Sequence, residues 1–226
     1  TPVPVDVDNN PFDNIVAVAA GHMNSLALKH DGNAYFWGER SMGGEWPKSP
    51  KKLLNFSNNA VTITGGQHHK FATTSTGTPK GWGLNKHRNI SNTLGGQYVS
   101  NPYYVHQAYV EGLHVIRLAA GGSNDYGQEV RNQHSLAFYD DYSLRSWGHT
   151  NCTNASPSKC TFSAKNELLT NVLTMAAKYQ PAGAVGVNGD VFTWTGNGIA
   201  SGINPKMITI DAGKPGVPPE QKFNLY

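Results

Sequence analysis

Side chains suited to ligand recognition are concentrated in two irregular stretches of the sequence, residues 99–109 and 122–133. Both stretches combine tyrosine with amide or charged side chains, and tyrosine offers a rigid apolar ring with a polar tip. Such a mixture suits noncovalent binding of a sugar or a protein. Trp46, which follows a Trp-Gly step, either joins this recognition surface or covers an outer strand. The predicted ligand-binding residues are Trp46, Tyr103, Tyr104, Asp125, Tyr126 and Arg131.

The sequence contains none of the compact motifs that mark common enzyme classes. There is no nucleophile elbow, no phosphate-binding glycine loop and no His-Glu-x-x-His pair. Ser25 and Ser135 lie on apolar segments, where a packing role is expected. We therefore predict no catalytic residue, and an unrecognised hydrolase is the least favoured alternative.

Nine histidines raise the question of a metal site. His68 and His69 are adjacent, so on a strand their side chains would point to opposite faces. No group of His, Cys and carboxylate residues has the spacing of zinc ligands. Residues 6–13 alternate oxygen-bearing side chains as calcium loops do, but they lack the central Gly and the final Glu. No metal or other cofactor is predicted.

Cysteines and glycosylation sequons favour a secreted protein. Cys152 and Cys160 flank a polar loop that a disulfide can close, and two free thiols on an exposed loop are the alternative. The chain starts with Thr1 rather than Met, as expected of a processed chain or a fragment. The sequons, each weak alone, are at Asn55, Asn89, Asn151 and Asn154. Together these features predict an extracellular location.

Charge and hydropathy argue against a nucleic-acid partner and against a membrane-spanning helix. The net charge is only +3, charged residues make up 15% of the chain, and Lys51-Lys52 is its single dibasic step. A nucleic-acid-binding protein would be expected to carry a basic patch or stripe. No apolar run approaches the roughly 20 residues that cross a bilayer as a helix. Neither nucleic-acid binding nor a membrane span is predicted.

The elements that must position these side chains come from an internal repeat. Four similar segments end in a tryptophan, at Trp37, Trp82, Trp147 and Trp194. Within a segment, a strand of small and branched residues precedes a second apolar strand, a turn and an aromatic strand. Asp31-Gly32 and Asn188-Gly189 are typical hairpin turns, since both central residues take positive φ. A tryptophan that recurs in every unit is expected to pack between neighbouring units.

The first segment reads Ile-Val-Ala-Val-Ala-Ala-Gly-His-Met-Asn-Ser-Leu-Ala-Leu, then Asp-Gly, then Ala-Tyr-Phe-Trp-Gly. This pattern resembles the repeat of the regulator of chromosome condensation family. The match is strongest at residues 15–38, good at 115–148, and degenerate at 61–83 and 172–196, where Thr195 replaces the Gly after Trp. The resemblance implies an all-β fold, a β-propeller with four-stranded blades around a channel.

We predict one propeller domain over residues 1–226, with units at about 13–58, 59–110, 111–168 and 169–205. A partial fifth unit would combine residues 206–226 with 1–12. Members of the family usually have seven blades, so three explanations stand. The chain is a small propeller closed by its terminal strands, a piece of a larger one, or a partial ring that another chain completes.

The function predicted from these features is a secreted, non-catalytic binding module that recognises a protein partner or a glycan through loops at the propeller faces. Insertions that are not repeated favour one asymmetric protein-binding surface. The alternative is a structural subunit of an extracellular assembly, in which another copy or chain covers unpaired blade edges.

Overall fold

The computed structural model describes residues 5–7, 10–22, 24–38, 47–56, 58–85, 88–91, 93–94, 98–123, 131–141, 143–148, 161–164, 172–177, 182–186, 191–194 and 206–208. Within these residues the structure is made of β-strands and two short 3-10 turns. The chain begins with a small hairpin of β1 (Asp6–Val7) and β2 (Asn10–Pro11). Four antiparallel sheets of four strands follow, and their strands are ordered in the sheet as they are in the chain.

We number these sheets as blades in chain order. Blade 1 contains β3 (Ile15–Ala20), β4 (Asn24–Lys29), β5 (Ala34–Gly38) and β6 (Lys51–Lys52). Blade 2 contains β7 (Ala60–Gly65), β8 (His69–Thr74), β9 (Pro79–Leu84) and β10 (Tyr98–Tyr104). Blade 3 contains β11 (Val115–Ser123), β12 (Arg131–Tyr139), β13 (Leu144–Gly148) and β14 (Thr161–Ala164). Blade 4 contains β15 (Val172–Ala177), β16 (Ala182–Gly186), β17 (Val191–Trp194) and β18 (Lys206–Ile208).

The boundary of the last unit differs from the sequence-based one. β18 pairs with β17, so Lys206–Ile208 completes blade 4 instead of opening a fifth unit at residue 206. The short apolar run Met-Ile-Thr-Ile was assigned to an inner strand, but the composition of so short a run does not distinguish an inner strand from an outer one. β1 and β2 pair with each other, so among the described residues they add no strand to the sheet of blade 4.

Local sequence explains the regular shape of each blade. A turn is present at Asp31-Gly32 as predicted, but only Gly32 takes positive φ, at 76°, so the prediction of positive φ at both residues is wrong for Asp31. The Asp31 carboxylate accepts the backbone N–H of Asn33 at 3.0 Å. Each inner strand carries a register shift near its start, between Ile15 and Ala17 in blade 1 and at the matching place in blades 2, 3 and 4. Such a bulge increases the local twist of a sheet.

Two of the four recurring tryptophans pack between blades, as predicted from their repetition. Trp82 and Trp147 are fully buried. Trp82 packs edge-on against Phe56 of the blade 1 connection, with ring centroids 6.0 Å apart. Trp147 of blade 3 packs against Phe71 of blade 2, at 6.1 Å. Each tryptophan therefore joins its own blade to the preceding one.

Blade 1 is different, because its side toward a preceding blade is open. We call this side the near face of blade 1, and define it by Val18, Ala20, Tyr35 and Trp37. Val18 is 76% exposed, whereas Leu118, at the same register position in blade 3, is 6% exposed because blade 2 covers it. The ring of Phe12 lies edge-on to Tyr35 at 4.9 Å and to Trp37 at 6.1 Å. The N-terminal segment thus covers part of this face and leaves Val18 open.

Candidate functional site

The predicted ligand-binding residues fall into three groups. Tyr103 and Tyr104 are adjacent on β10, at the outer edge of blade 2. Arg131 begins β12 and pairs with Ser123 across blade 3. Trp46, Asp125 and Tyr126 lie outside the described residues. The structure therefore brings together two of the six residues.

The two tyrosines belong to a larger exposed cluster of rings. The ring of Tyr104 meets His106 edge-on, with centroids 4.7 Å apart, and lies 6.3 Å from the ring of Tyr109. The ring of Tyr103 also contacts His106, with centroids 6.1 Å apart. Tyr103 is 36% exposed and Tyr109 is 58% exposed, while Tyr104 is half-buried. We call Tyr103, Tyr104, His106 and Tyr109 the tyrosine platform.

Local sequence explains why these rings face outward. On β10 the side chains of Val99 and Pro102 are buried, and their neighbours are exposed. The chain then forms the 3-10 turn η2 (His106–Ala108), flanked by the buried Val105. Val105 and Ala108 face the core between blades 2 and 3. His106 and Tyr109, each one residue further on, therefore project to the surface.

Buried contacts hold the backbone of the platform in place. The backbone N–H of Val105 donates to the carbonyl oxygen of Pro79 at 3.1 Å, which attaches the chain just after β10 to β9. The hydroxyl of Tyr139, from blade 3, donates to the carbonyl oxygen of Ala108 at 2.8 Å in a buried hydrogen bond. A surface fixed in this way loses little conformational entropy when it binds a partner.

The platform presents polar atoms without negative charge. Burial, and then the neighbouring Tyr109, raises the pKa of Tyr104 above its ordinary value, so its phenol keeps its proton at neutral pH. Lys80 lies opposite Tyr104 on β9, above the ring of Phe56 at 5.5 Å, and its ammonium donates to the carbonyl oxygen of Asn55. The surface therefore offers apolar rings, neutral hydroxyls and one adjacent cation.

The recognition stretch predicted at residues 99–109 contains His106 and Tyr109, but neither was among the six residues named as ligand-binding. The apolar pair Val105 and Ala108 is spaced three residues apart, and His106 and Tyr109 repeat that spacing one position later. Side chains three apart eclipse in a 3-10 turn. That spacing is the signal that points to both residues.

A serine and a histidine do meet inside the protein, at the contact between blades 2 and 3. Nε2 of His69 lies 3.0 Å from Oγ of Ser135. The Ser135 hydroxyl donates its single proton to the carbonyl oxygen of Asn89, also at 3.0 Å, so the histidine is the donor toward Ser135. Burial, and then the nearby His134 and Lys70, hold the pKa of His69 well below its ordinary value. Both side chains are fully buried, so this pair supports packing as the role of Ser135.

The same contact corrects one predicted glycosylation site. Asn89 is completely buried, and its Nδ2 donates to the carbonyl oxygen of Leu84 at 2.6 Å. An N-linked glycan would have to replace a proton on that nitrogen and occupy space that the protein fills. The prediction of a glycan at Asn89 is therefore wrong for this fold. The Asn-Ile-Ser sequence at Asn89 lies in a loop that packs against blade 3, where Ser135 and Trp147 donate to its backbone.

The other secretory features are only partly described. Asn55 is exposed in the 3-10 turn η1 (Leu54–Phe56), where its Nδ2 lies 3.4 Å from the carbonyl oxygen of Pro102. Asn151, Asn154, Cys152 and Cys160 lie outside the described residues. Among the residues that are described, no three His, Cys, Asp or Glu side chains converge as metal ligands. In the same part of the chain, no helix has the length and hydropathy needed to cross a bilayer.

Sheets of four antiparallel strands that follow one another along the chain, with tryptophans packed between them, define the β-propeller class. The chain has the fold of RCC1-repeat propellers, so the resemblance found in the repeats is confirmed at the level of the fold. The crystal structure of human WBSCR16 superimposes with a TM-score of 0.68 and 19% identity, over 91% of this chain and 54% of that one. Prp20p from Saccharomyces cerevisiae gives a TM-score of 0.66 and 21% identity, over 92% of this chain and 53% of that one. The chain thus spans about half the length of these proteins.

Sequence comparison agrees with the structural one. The protein named Probable E3 ubiquitin-protein ligase HERC6, from Homo sapiens, is 27% identical over 117 residues. That stretch is 48% of this chain and 11% of the human protein. No family profile matches the chain.

Proposed function

We propose that this chain is a non-catalytic module that binds a protein partner through the tyrosine platform of blade 2. The observation that carries the proposal is the group of exposed rings on β10 and η2, held by buried hydrogen bonds to blades 2 and 3. Tyrosine is enriched in protein-binding surfaces because it buries a large area at a low cost in side-chain entropy.

Two observations favour a protein over a glycan. Of the two outer strands whose side chains are described, the strand of blade 2 carries the platform, whereas the strand of blade 1 consists of Lys51–Lys52. A lectin of this architecture would be expected to repeat its sugar site on several blades. Structural neighbours also support protein binding: the yeast RCC1 (Prp20) structure contains Kap60, and the study of Prp20p describes binding to Gsp1p and histones.

Affinity capture with platform variants tests this proposal. Wild-type protein and the double variant Tyr103→Ala/Tyr109→Ala are immobilised on beads. Each is incubated with the proteins secreted by cells that express the chain, and the retained proteins are compared. Val61→Ala, which removes an exposed apolar side chain on the inner strand of blade 2, is the matched control. Each lost tyrosine is expected to cost about 1–2 kcal/mol, so the double variant should lose binding roughly 30-fold or more.

The outcomes separate the two ligand classes. A specific protein that is retained by wild type and by Val61→Ala, but lost by the double variant, supports the proposal. A partner retained equally by all three proteins would refute the platform as its binding surface. Selective binding to a glycan array that disappears in the double variant would assign the same surface to a sugar.

We also propose that the chain is secreted. Asn55 supports this, because its side chain is exposed in a short turn between two blades. Expression in mammalian secretory cells, followed by glycan removal and peptide mass spectrometry, tests the proposal. Detection of a glycan at Asn55 and of a bond between Cys152 and Cys160 is expected, and a bare Asn55 with two free thiols would contradict it.

The near face of blade 1 favours a second function, as a subunit of a larger assembly. An apolar face that is covered in blades 2 and 3 is open at Val18. A second copy of the chain is the simplest partner with a matching blade. Light scattering on Val18→Asp and wild type tests this function, since a wild-type dimer that dissociates in the variant is expected. A wild type that is monomeric at high concentration would rule it out.

A further inference from the structure

We infer that the tyrosine platform binds an acidic segment of its partner protein and that Lys80 pairs with a carboxylate of that segment, a step that rests on the proposed function. Lys80 on β9 lies directly opposite Tyr104 on β10 in the antiparallel register. Residues paired in this way project from the same face of a sheet, with Cβ atoms roughly 5 Å apart. A segment that covers the ring of Tyr104 therefore reaches the Lys80 side chain as well.

Neutral groups of blade 1 hold the Lys80 ammonium beside the platform. Nζ of Lys80 lies 5.5 Å from the centre of the Phe56 ring and donates to the carbonyl oxygen of Asn55. Nδ2 of Asn55 lies 3.4 Å from the carbonyl oxygen of Pro102, which attaches η1 to β10. An ammonium has three donor hydrogens, so the contact with Asn55 leaves Lys80 able to donate to a carboxylate.

Lys29 shows what Lys80 lacks. Nζ of Lys29 also lies over an aromatic ring, 5.7 Å from the centre of Phe12, and it forms an ion pair with Asp13 at 3.4 Å. Lys80 has the same kind of ring contact, but it forms no ion pair with a carboxylate among the described residues. An acidic side chain of a partner would complete Lys80 as Asp13 completes Lys29.

The distribution of charge along the chain favours the same kind of partner. Between Glu45 and Glu111 the sequence contains six lysines and one arginine but no aspartate or glutamate, although the whole chain has 15 acidic residues. This stretch includes η1, all of blade 2 and the platform. The exposed strand Lys51–Lys52 lies just before η1. A surface of one sign attracts a partner of the opposite sign and raises the rate of encounter.

An exposed leucine favours a protein segment over a nucleic acid. Leu54 is 78% exposed, and it directly precedes Asn55 in η1. Burial of this side chain against an apolar residue would be favourable, whereas contact with a phosphate backbone would not bury it. The surface therefore suits a segment that combines acidic and apolar side chains.

Panning of a phage-displayed library of random peptides on immobilised wild type tests the inference. Peptides that combine Asp or Glu with a large apolar residue are expected to be enriched. An enriched peptide is then labelled and titrated by fluorescence anisotropy. Lys80→Gln should weaken binding about tenfold, and Lys80→Arg should retain it. Lys29→Gln, which removes the other lysine that lies over a phenylalanine ring, is the matched control and should bind as wild type does.

Charge reversal and salt provide a second measurement. Panning on Lys80→Glu should no longer enrich acidic peptides, because the new carboxylate repels them. Added sodium chloride should weaken the binding of an acidic peptide to wild type more than its binding to Lys80→Gln, since salt screens the pair that the variant lacks.

The tyrosine double variant separates failure of this inference from failure of the proposed function. Peptides that bind wild type, are lost by Tyr103→Ala/Tyr109→Ala and contain no acidic residue would overturn the acidic partner and leave the platform as the binding surface. Equal binding to Lys80→Gln and wild type would do the same. Peptides that the double variant retains would refute the platform itself. Equally tight binding of a thymidine oligonucleotide that depends on Lys80 would also overturn the inference, as would a library that yields no binding peptide.

Discussion

Replacement of two equivalent tryptophans by phenylalanine separates hydrogen bonding from packing between blades. Trp147 and Trp82 occupy the same place in blades 3 and 2, and both are fully buried. Nε1 of Trp147 donates to the carbonyl oxygen of Asn89 at 2.8 Å. Nε1 of Trp82 is buried with no hydrogen-bond partner among the described atoms. The two substitutions therefore remove similar volumes but different polar interactions.

The expected destabilisation follows from these differences. The smaller ring should cost about 1–2 kcal/mol at either site through lost burial and the cavity that remains. Trp147→Phe also loses a hydrogen bond worth about 1 kcal/mol, which brings its total to about 2–3 kcal/mol. Trp82→Phe removes an unpaired buried donor, and this gain of about 1–3 kcal/mol offsets the cavity. The stability of Trp82→Phe should therefore lie between about 2 kcal/mol above and about 1 kcal/mol below that of wild type.

Urea unfolding, followed by circular dichroism and by the fluorescence of the remaining tryptophans, gives the free energies of unfolding. Equal m values for the three proteins would show that the transitions can be compared directly. The structure predicts that Trp147→Phe is less stable than Trp82→Phe by about 2–4 kcal/mol. Equal destabilisation of the two variants, or greater loss in Trp82→Phe, would refute the account of the contact between blades.

Three further outcomes follow from buried groups. Burial lowers the pKa of His69 and lowers the pKa of His68 to about 4. Just below pH 6.5, these two histidines therefore bind a proton in the unfolded chain but not in the folded protein. Stability should be level above about pH 6.5 and fall on acidification by up to about 1.4 kcal/mol per pH unit for each histidine, as urea midpoints at several pH values would show. Tyr139→Phe should cost about 1 kcal/mol in urea unfolding and speed amide exchange in η2, whereas unchanged exchange would contradict the anchoring role of this hydroxyl. Gly32→Ala should lower the thermal midpoint by several degrees, because φ is 76° and the new methyl group would overlap a backbone carbonyl oxygen.

Local sequence predicted the parts of the fold that depend on local chemistry. The turn at Asp31-Gly32 needs positive φ at Gly32, and the glycine in the sequence indicates this directly, whereas the positive φ predicted for Asp31 is not found. The repeated tryptophans gave the spacing of the blades, and the packing of Trp82 and Trp147 confirms their place. The outer strand Lys206–Ile208 was assigned to the wrong unit because outer strands have weak and variable patterns.

The surfaces and buried contacts depend on neighbours that are distant in sequence. Asn89 matched a glycosylation sequon, but its carbonyl oxygen accepts hydrogen bonds from Ser135 and Trp147 of the next blade. His22 and His68 come together only because two blades stack, so their spacing in the sequence contained no sign of a pair. Tertiary contacts of this kind decide which polar residues are buried and which meet at the surface.

Amide hydrogen exchange on the complex with a captured partner tests protein binding by the tyrosine platform most directly. The account predicts that the partner slows exchange in residues 98–109, including Tyr104 and Tyr109, and leaves the loops with His22 and His68 unchanged. Protection confined to another blade, with residues 98–109 exchanging as in the free protein, would contradict it.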